Sequence, residues 1–241
     1  FIFVFYRGKV VCLPVVVLVI FGFQYGDVFT SAYLGGSTTA LTGKDYQRNA
    51  DGQVIVDANG YPKINPNKNE LIGNREAKFQ AGLSSSMNIY GVQFSFLFDG
   101  RLGGDVVNVT GRNLISNGNH KMLEQYRGRQ VVFEGVTEHI DADGKVYYEQ
   151  NRTPITLDYT TISNYFYNVS TNFIEDGSYI RLSYVTLGYD FAKLMKNQKA
   201  FKGLKLNFTC NNVFVLTKYT GTDPVCNAAT GQGGTGSAGI D

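Results

Sequence analysis

Between Phe79 and Asp99 apolar and polar residues alternate with a period of two, the spacing of a strand whose two faces meet different surroundings. Phe79, Ala81, Leu83, Met87 and Ile89 fall on one side, with Gln80, Ser84, Ser86 and Asn88 on the other. After a break at Tyr90 and Gly91 the alternation resumes: Val92, Phe94, Phe96 and Phe98 oppose Gln93, Ser95 and Asp99, and Leu97 is the exception. The pattern predicts two long strands joined by a tight turn. A further strand is expected from Leu204 through Leu206, Phe208 and Cys210, which oppose Lys205, Asn207, Thr209 and Asn211. The tract Tyr179 to Phe191, YIRLSYVTLGYDF, has no Pro and one Gly and is rich in Tyr, Ile, Leu and Val, which suits a pleated surface better than a helix. Its alternation slips, because Ile180, Leu182 and Tyr184 share one face while Val185, Leu187, Tyr189 and Phe191 share the other. A bulge near Tyr184 is expected to reconcile the halves.

Globular strands usually stop at about 5 or 6 residues, whereas a tilted strand needs roughly 9 to 11 to cross hydrocarbon. The connections alternate too: a tight turn after Ile89, an excursion from Gly100 to Ser178, a medium basic link from Ala192 to Gly203, and a long segment after Thr217. Outer-membrane barrels have short periplasmic turns and long extracellular loops. The expected fold class is therefore all-β, an antiparallel transmembrane β-barrel present in part, with apolar faces toward lipid and polar faces toward the interior. The strands from Phe79 and Tyr179 then descend, those from Val92 and Leu204 ascend, and the link AKLMKNQKAFKG forms a short helical turn on the periplasmic side. A secreted or surface β-sandwich, whose strands also alternate, is the alternative. Inside the long excursion, VVFEGVTEHIDADGKVYYE reads as a hairpin turning at Asp143 and Gly144, and Gly103, Gly104, Gly111, Gly118 and Gly128 punctuate the rest.

The runs KFQAGLSSSMNIYGVQFSFLFDGRLGGDVVN, RGRQVVFEGV, DGSYIRLSYVTLGYDF and LKLNFTCNNVFVLTKYTGTDP resemble, in content and order, the C-terminal barrel of the SusC/RagA family of TonB-linked outer membrane proteins. The resemblance covers roughly Phe21 to Asp241. It implies a plugged barrel of about 22 strands. Such a barrel imports oligosaccharides or peptides under a SusD-like surface lipoprotein and draws energy through the TonB system. At 241 residues the chain is too short for that barrel and its plug, so it is expected to be a wall and loop fragment. The tail ends GSAGID, where the family continues into a last strand with an aromatic end. Residues 21–241 are read as the partial barrel, without plug domain or final strand, and residues 1–20 as an atypical apolar extension. That extension carries Arg7 and Lys9, and Pro14 breaks its clean run from Val10 to Phe23. It falls short of about 18 apolar residues for a spanning helix. A signal or anchor, a barrel strand and an extension foreign to the family all stay open for it. At FGFQYGDVFTSA the family wording resumes, with Gly26 and Asp27 in the reverse of the usual order.

Sixteen Tyr, seventeen Phe, twenty-eight Gly and 17% charged residues fit a β-rich, loop-rich chain, and a net charge of +2 without a dense Lys/Arg cluster gives no nucleic-acid signature. Cys12, Cys210 and Cys226 are far apart and outside any CxxC motif, so neither a zinc site nor a disulfide framework is expected, and Cys210 reads as a small hydrophobe. His120 and His139 lie in loop-like surroundings with no nucleophile motif nearby. Asp141, Asp143 and Glu149 lack EF-hand spacing, and in DANGYPKIN Tyr61 and Pro62 stand where oxygen ligands would be wanted. GQGGTGSAG lacks the Lys of a phosphate loop, and the sequons at Asn108 and Asn168 read as chance matches. Tyr126, Tyr147, Tyr148, Tyr165, Phe166 and Tyr167 lie in the excursion, where they either line a sugar-stacking vestibule or pack the loops together. No catalytic, cofactor-binding or metal-binding residue is assigned, no cofactor is implied, and an enzyme is not expected.

Overall fold

The computed structural model describes residues 2–6, 9–13, 18–25, 27–32, 37–67, 69–191, 203–225, 227–228 and 237–238, with backbone alone at 2–25, 32, 227–228 and 237–238. Two compact units emerge: a wall built from Ala77–Gly104 and Asp176–Tyr219, and a loop unit built from the remaining segments.

The wall is an open antiparallel sheet of four strands: β1 (Phe79–Ile89), β2 (Val92–Leu102), β3 (Tyr179–Asp190) and β4 (Lys205–Thr217), ordered β4-β3-β2-β1. β1 and β2 pair without a register shift from Phe79 opposite Leu102 to Ile89 opposite Val92. The tight turn sits where the alternation broke, with Tyr90 at φ 52° and Gly91 at φ 92°. Positive φ at both central residues is the two-residue turn whose twist matches its flanking strands.

β3 carries the expected bulge. Leu182 and Tyr184 oppose the consecutive residues Phe98 and Leu97 of β2, which leaves Ser183 as the extra residue. The slip restores apolar parity: Ile180 and Leu182 line up with Gly100 and Phe98, and Val185, Leu187 and Tyr189 with Phe96, Phe94 and Val92. Tyr184 is transferred to the polar face, opposite Leu97. The two exceptions in the alternation thus form one cross-strand pair. β4 ends at Thr217, where the sequence placed the start of the last long segment. Its register passes from Asn211 opposite Tyr184 to Phe214 opposite Leu182, so Asn212 and Val213 together face Ser183, and Asn212 adopts φ 50°. The irregularity interrupts the period-two signal although the ladder continues to Thr217. The link at 192–202, expected to be helical, lies outside the described residues.

The loop unit is far from structureless. One sheet orders Leu18–Tyr25, Val28–Ala32, Ala40–Gly43 and Glu70–Asn74, and another orders Val146–Gln150, Val136–Ile140 and Ile55–Val56. Within the excursion lie α1 (Val109–Ser116) and α2 (Lys121–Tyr126). Val28, Leu41, Val107 and Val109 form one buried cluster, with Ile72 and Ile174 packed against it. Ile115, Leu123, Ile162 and Phe173 form a second, covered by Met122, Leu157, Phe166 and Tyr167. Residues 2–6 and 9–13 pair as a backbone hairpin.

The predicted turn at Asp143 and Gly144 is one of three built alike, over NADGQ (49–53), DANGY (57–61) and DADGK (141–145). The first side chain's Oδ1 accepts the N–H groups of the third and fifth residues, and the fourth is a glycine with φ between 78° and 87°. An Asx side chain that mimics a backbone turn, with Gly supplying the left-handed conformation, explains the repeated spelling.

Candidate membrane wall and binding surface

The four wall strands bring their apolar sides onto one face, in rows such as Met87–Phe94–Leu187–Phe208. That face is bare among the described residues: Phe208 is 73% exposed, Leu83 and Leu216 63% each. Contiguous apolar surface on this scale marks a protein or membrane contact, because water would charge roughly 25 cal/mol for each Å² left open. Cys210 sits on it, opposite Val185, exposed.

The opposite face is polar and partly cross-linked. Asp99 Oδ2 receives Arg181 Nη2 at 3.1 Å, and the hydroxyl of Ser183, the bulged residue, donates to Oδ1 of the same carboxylate. The Arg181 guanidinium lies 5.3 Å from the ring centre of Tyr179. Thr186 and Thr209 share a hydroxyl hydrogen bond of 3.0 Å. Gly188 leaves room for the Asn207 amide, whose Oδ1 would lie 2.3 Å from an added Cβ and would have to turn away. Asp99 thus ties the ion pair and the bulge to one atom group, and the side chains on this face suit water better than lipid.

The loop aromatics divide into two sets. Tyr165 stacks on Tyr61 with ring centres 4.8 Å apart, Phe166 meets Phe173 edge-on at 5.8 Å, and Tyr167 covers Phe173 and the Arg112 guanidinium, 4.8 Å from its centre. These three pack the loops. Tyr126, Tyr147 and Tyr148 remain exposed, although His139 stacks on Tyr147 at 5.3 Å. A cavity of about 400 Å³ opens over the second cluster, floored by Ile115, Leu123 and Ile162, with Arg127, Tyr159 and Tyr167 among its walls. Arg127 Nη2 donates to the Gly118 carbonyl at 3.0 Å.

The other sequence candidates have structural roles. His120 caps α2, its Nδ1 accepting from the Met122 N–H, and His139 Nε2 lies 3.8 Å from Glu149. Asp57 and Asp141 hold the turns described above. Among the described residues no three His, Cys, Asp or Glu side chains stand close enough to hold a metal ion. Asn108, read only as a sequon, is 3% exposed and is the hub of the α1 end. Its Oδ1 accepts from the Gly111 N–H at 2.6 Å, and its Nδ2 donates to Glu175 at 2.7 Å and to the Thr220 hydroxyl at 3.0 Å. Glu175 in turn accepts from the Thr220 N–H at 2.7 Å. The spelling N-V-T-G, a cap three residues before the N–H it satisfies, was the available signal.

Tyr46 is a second hub that the pattern missed. Its hydroxyl donates to the Tyr165 carbonyl and accepts from Asn172 Nδ2, both at 2.7 Å, and burial pushes its pKa up to about 12. Asp158 caps a short helix through the Thr161 N–H at 2.7 Å, which holds its carboxyl below the usual carboxylate range.

No family model matches the chain. Among curated proteins it is 19% identical over 207 residues to TonB-dependent receptor P3 of Formosa agariphila, covering 86% of this chain and 18% of that protein. TonB-dependent receptor P39 of the same organism is 26% identical over 175 residues, 71% of this chain and 15% of the relative. TonB-dependent receptor SusC of Bacteroides thetaiotaomicron is 40% identical over 58 residues, covering 23% of this chain and 6% of SusC. The chain therefore spans less than a fifth of the curated relatives it matches. Among solved structures, the RagAB peptide importer in its open-open state aligns over 84% of this chain and 21% of its own, with 15% identity and a TM-score of 0.49. The closed-closed state aligns over 82% and 23%, with 16% identity and a TM-score of 0.45. The motifs that suggested the resemblance and the relatives found across the chain agree: it resembles the SusC/RagA group of TonB-dependent receptors.

Proposed function

We propose that this chain forms a wall and loop segment of a TonB-dependent outer membrane importer. Residues 21–241 supply the barrel portion, preceded by an apolar extension at residues 1–20. The observation that carries the reading is the two-faced wall, four strands of 11 to 13 residues with one exposed apolar face and one polar, ion-paired face. Lipid of a Gram-negative outer membrane covers the apolar face, and the polar face lines the interior. In the intact protein the cargo is an oligosaccharide or peptide, a SusD-like lipoprotein closes the external side, and the TonB system supplies energy. The segment has no enzymatic role and is inactive in transport by itself. A β-sandwich would instead cover the row from Met87 through Phe94 and Leu187 to Phe208 with a second sheet. Fractionation of cells expressing the chain tests the proposal: the chain should resist alkaline extraction from outer membranes and partition into detergent. Recovery as a soluble monomer in plain buffer would refute it.

A further inference from the structure

The apolar face of the wall is not evenly filled. Ala81 of β1 pairs with Gly100 of β2, and Gly100 pairs with Ile180 of β3, between the large rows Phe79–Leu102 and Leu83–Phe98. A groove of about 790 Å³ occupies this stretch, reaching Leu216 and Lys218 at the end of β4. Its lining is mostly apolar. Gly100 has no backbone reason to be glycine: its φ is not in the left-handed region, and an added Cβ would meet only ordinary contacts, Tyr179 O at 3.4 Å and Ile180 Cγ1 at 3.8 Å. A glycine inside a strand weakens it and often marks a bulge, a bend or the close approach of a ligand or another backbone, and neither ladder bulges at Gly100.

The groove opens at the strand ends away from the Tyr90–Gly91 turn, and that rim is cationic. Lys218 lines it, and the backbone N–H of Lys78 bonds to the carbonyl of Leu102, a lining residue, at 2.9 Å. Both lysines are exposed, and neither forms a salt bridge among the described residues. The two carboxylates that line the groove are engaged, Asp99 with Arg181 and Asp176 with the N–H and hydroxyl of Ser178. An apolar channel ending at two lysines has the complementarity of an acyl chain joined to an anionic head.

We propose that this groove is a binding site for one membrane lipid with a phosphate-bearing, anionic headgroup. An acyl chain lies over Gly100 and Ala81, and the phosphate is held by Lys78 and Lys218. The proposal rests on the reading of the apolar face as lipid-facing.

The chain contains no Trp, so a single introduced Trp reports on its own surroundings. The full chain carrying Leu216→Trp at the groove, and separately Phe208→Trp elsewhere on the same face, is reconstituted in vesicles. Each vesicle contains a minor fraction of brominated phosphatidylglycerol or brominated phosphatidylcholine. The expected result is excess quenching at position 216 by the anionic lipid, roughly five-fold over phosphatidylcholine for each lysine engaged, and none at 208. Lys78→Gln with Lys218→Gln removes the preference, and Gly100→Phe, which fills the groove, lowers quenching at 216 to the bulk level. Equal quenching by both lipids at 216 overturns the proposal, as does a preference that survives the lysine changes. Quenching at 208 with none at 216 shows the groove covered by protein, such as a second copy, and overturns it while sparing the membrane reading. Absence of quenching at both positions overturns the membrane reading itself.

Discussion

The wall and the loop unit solve the same problem with opposite materials. The wall satisfies its backbone through long, nearly uninterrupted ladders and leaves side chains such as Leu83 and Phe208 outside. The loop unit has short strands and irregular segments, so it must bury side chains: Leu41, Val106, Val107 and Val169 are wholly inaccessible. It also spends polar side chains as staples, Asn108 and Tyr46 above all. The lesson is that stability lies in the ladder and the surrounding solvent for one unit, and in a core plus local caps for the other. Substitutions of similar size should therefore fail in one unit and pass in the other.

The largest effect is expected from charge on the wall. Phe96 lies midway along β2 on the apolar face, and Phe96→Arg should cost about 2–4 kcal/mol of insertion, as cations on a lipid face do near the bilayer midplane. Ser95→Arg, one residue away on the polar face, should cost little. Comparison of the alkali-resistant fraction of the two variants checks this, and equal losses would erase the distinction between the faces.

In the loop unit the corresponding break is Asn108→Ala. It removes a helix cap and one of the hydrogen bonds to the Glu175 carboxylate, which keeps those from Thr220, a combined cost of about 2–3 kcal/mol. Hydrogen exchange should quicken in 105–116 and around Glu175 while the β1 and β2 amides stay protected. Asn108→Asp keeps an acceptor for the Gly111 N–H but sets a carboxylate against Glu175. Its loss should shrink as pH falls, which the alanine variant will not show.

Tyr46 sharpens the contrast through pH. The folded-state pKa of about 12 stands above the ordinary tyrosine value of 10.0, so the stabilisation is intact below about pH 10 and is lost as pH rises toward the folded value. The loss is on the order of 2 kcal/mol. Alkaline titration followed by tyrosinate absorbance should show the loop unit opening across that window. Tyr46→Phe should be less stable at neutral pH but should no longer lose stability through that tyrosine's ionisation.

The wall was far more legible in the sequence than the loops, and the physical cause is periodicity. A strand between two different solvents must alternate, so β1, β2 and the bulge in β3 were written in the order of residues, and even Leu97 proved to be the partner of displaced Tyr184. The signal failed at Asn212 and Val213 of β4, where paired irregularities broke the period without ending the strand. In the excursion the hairpin turning at Asp143 and Gly144 was spelled out, but its buried contacts were not. Val107, Ile115 and Phe173 are buried by folding of distant segments onto one another, and a lone Asn108 carries no pattern beyond its cap spacing. The Gly100 groove was equally hidden, because a glycine in an alternating run reads as a gap until its cross-strand partners are known.

The smallest expected effect is at the turn between β1 and β2, where the wall does depend on a local choice. Tyr90 holds φ 52° and is 90% exposed, so it gains nothing from packing to offset the crowding of its Cβ in the left-handed region. Asn is the residue that tolerates this position of a two-residue hairpin turn best after Gly. Tyr90→Asn should therefore stabilise the β1–β2 hairpin by about 0.5–1 kcal/mol, read as slower amide exchange at Ile89 and Val92. If the tyrosine instead serves as an aromatic anchor at the membrane edge, the same change will leave exchange unaltered and reduce membrane partition. The sign and location of the response thus separate a turn that is merely strained from one that is strained because lipid wants a ring there.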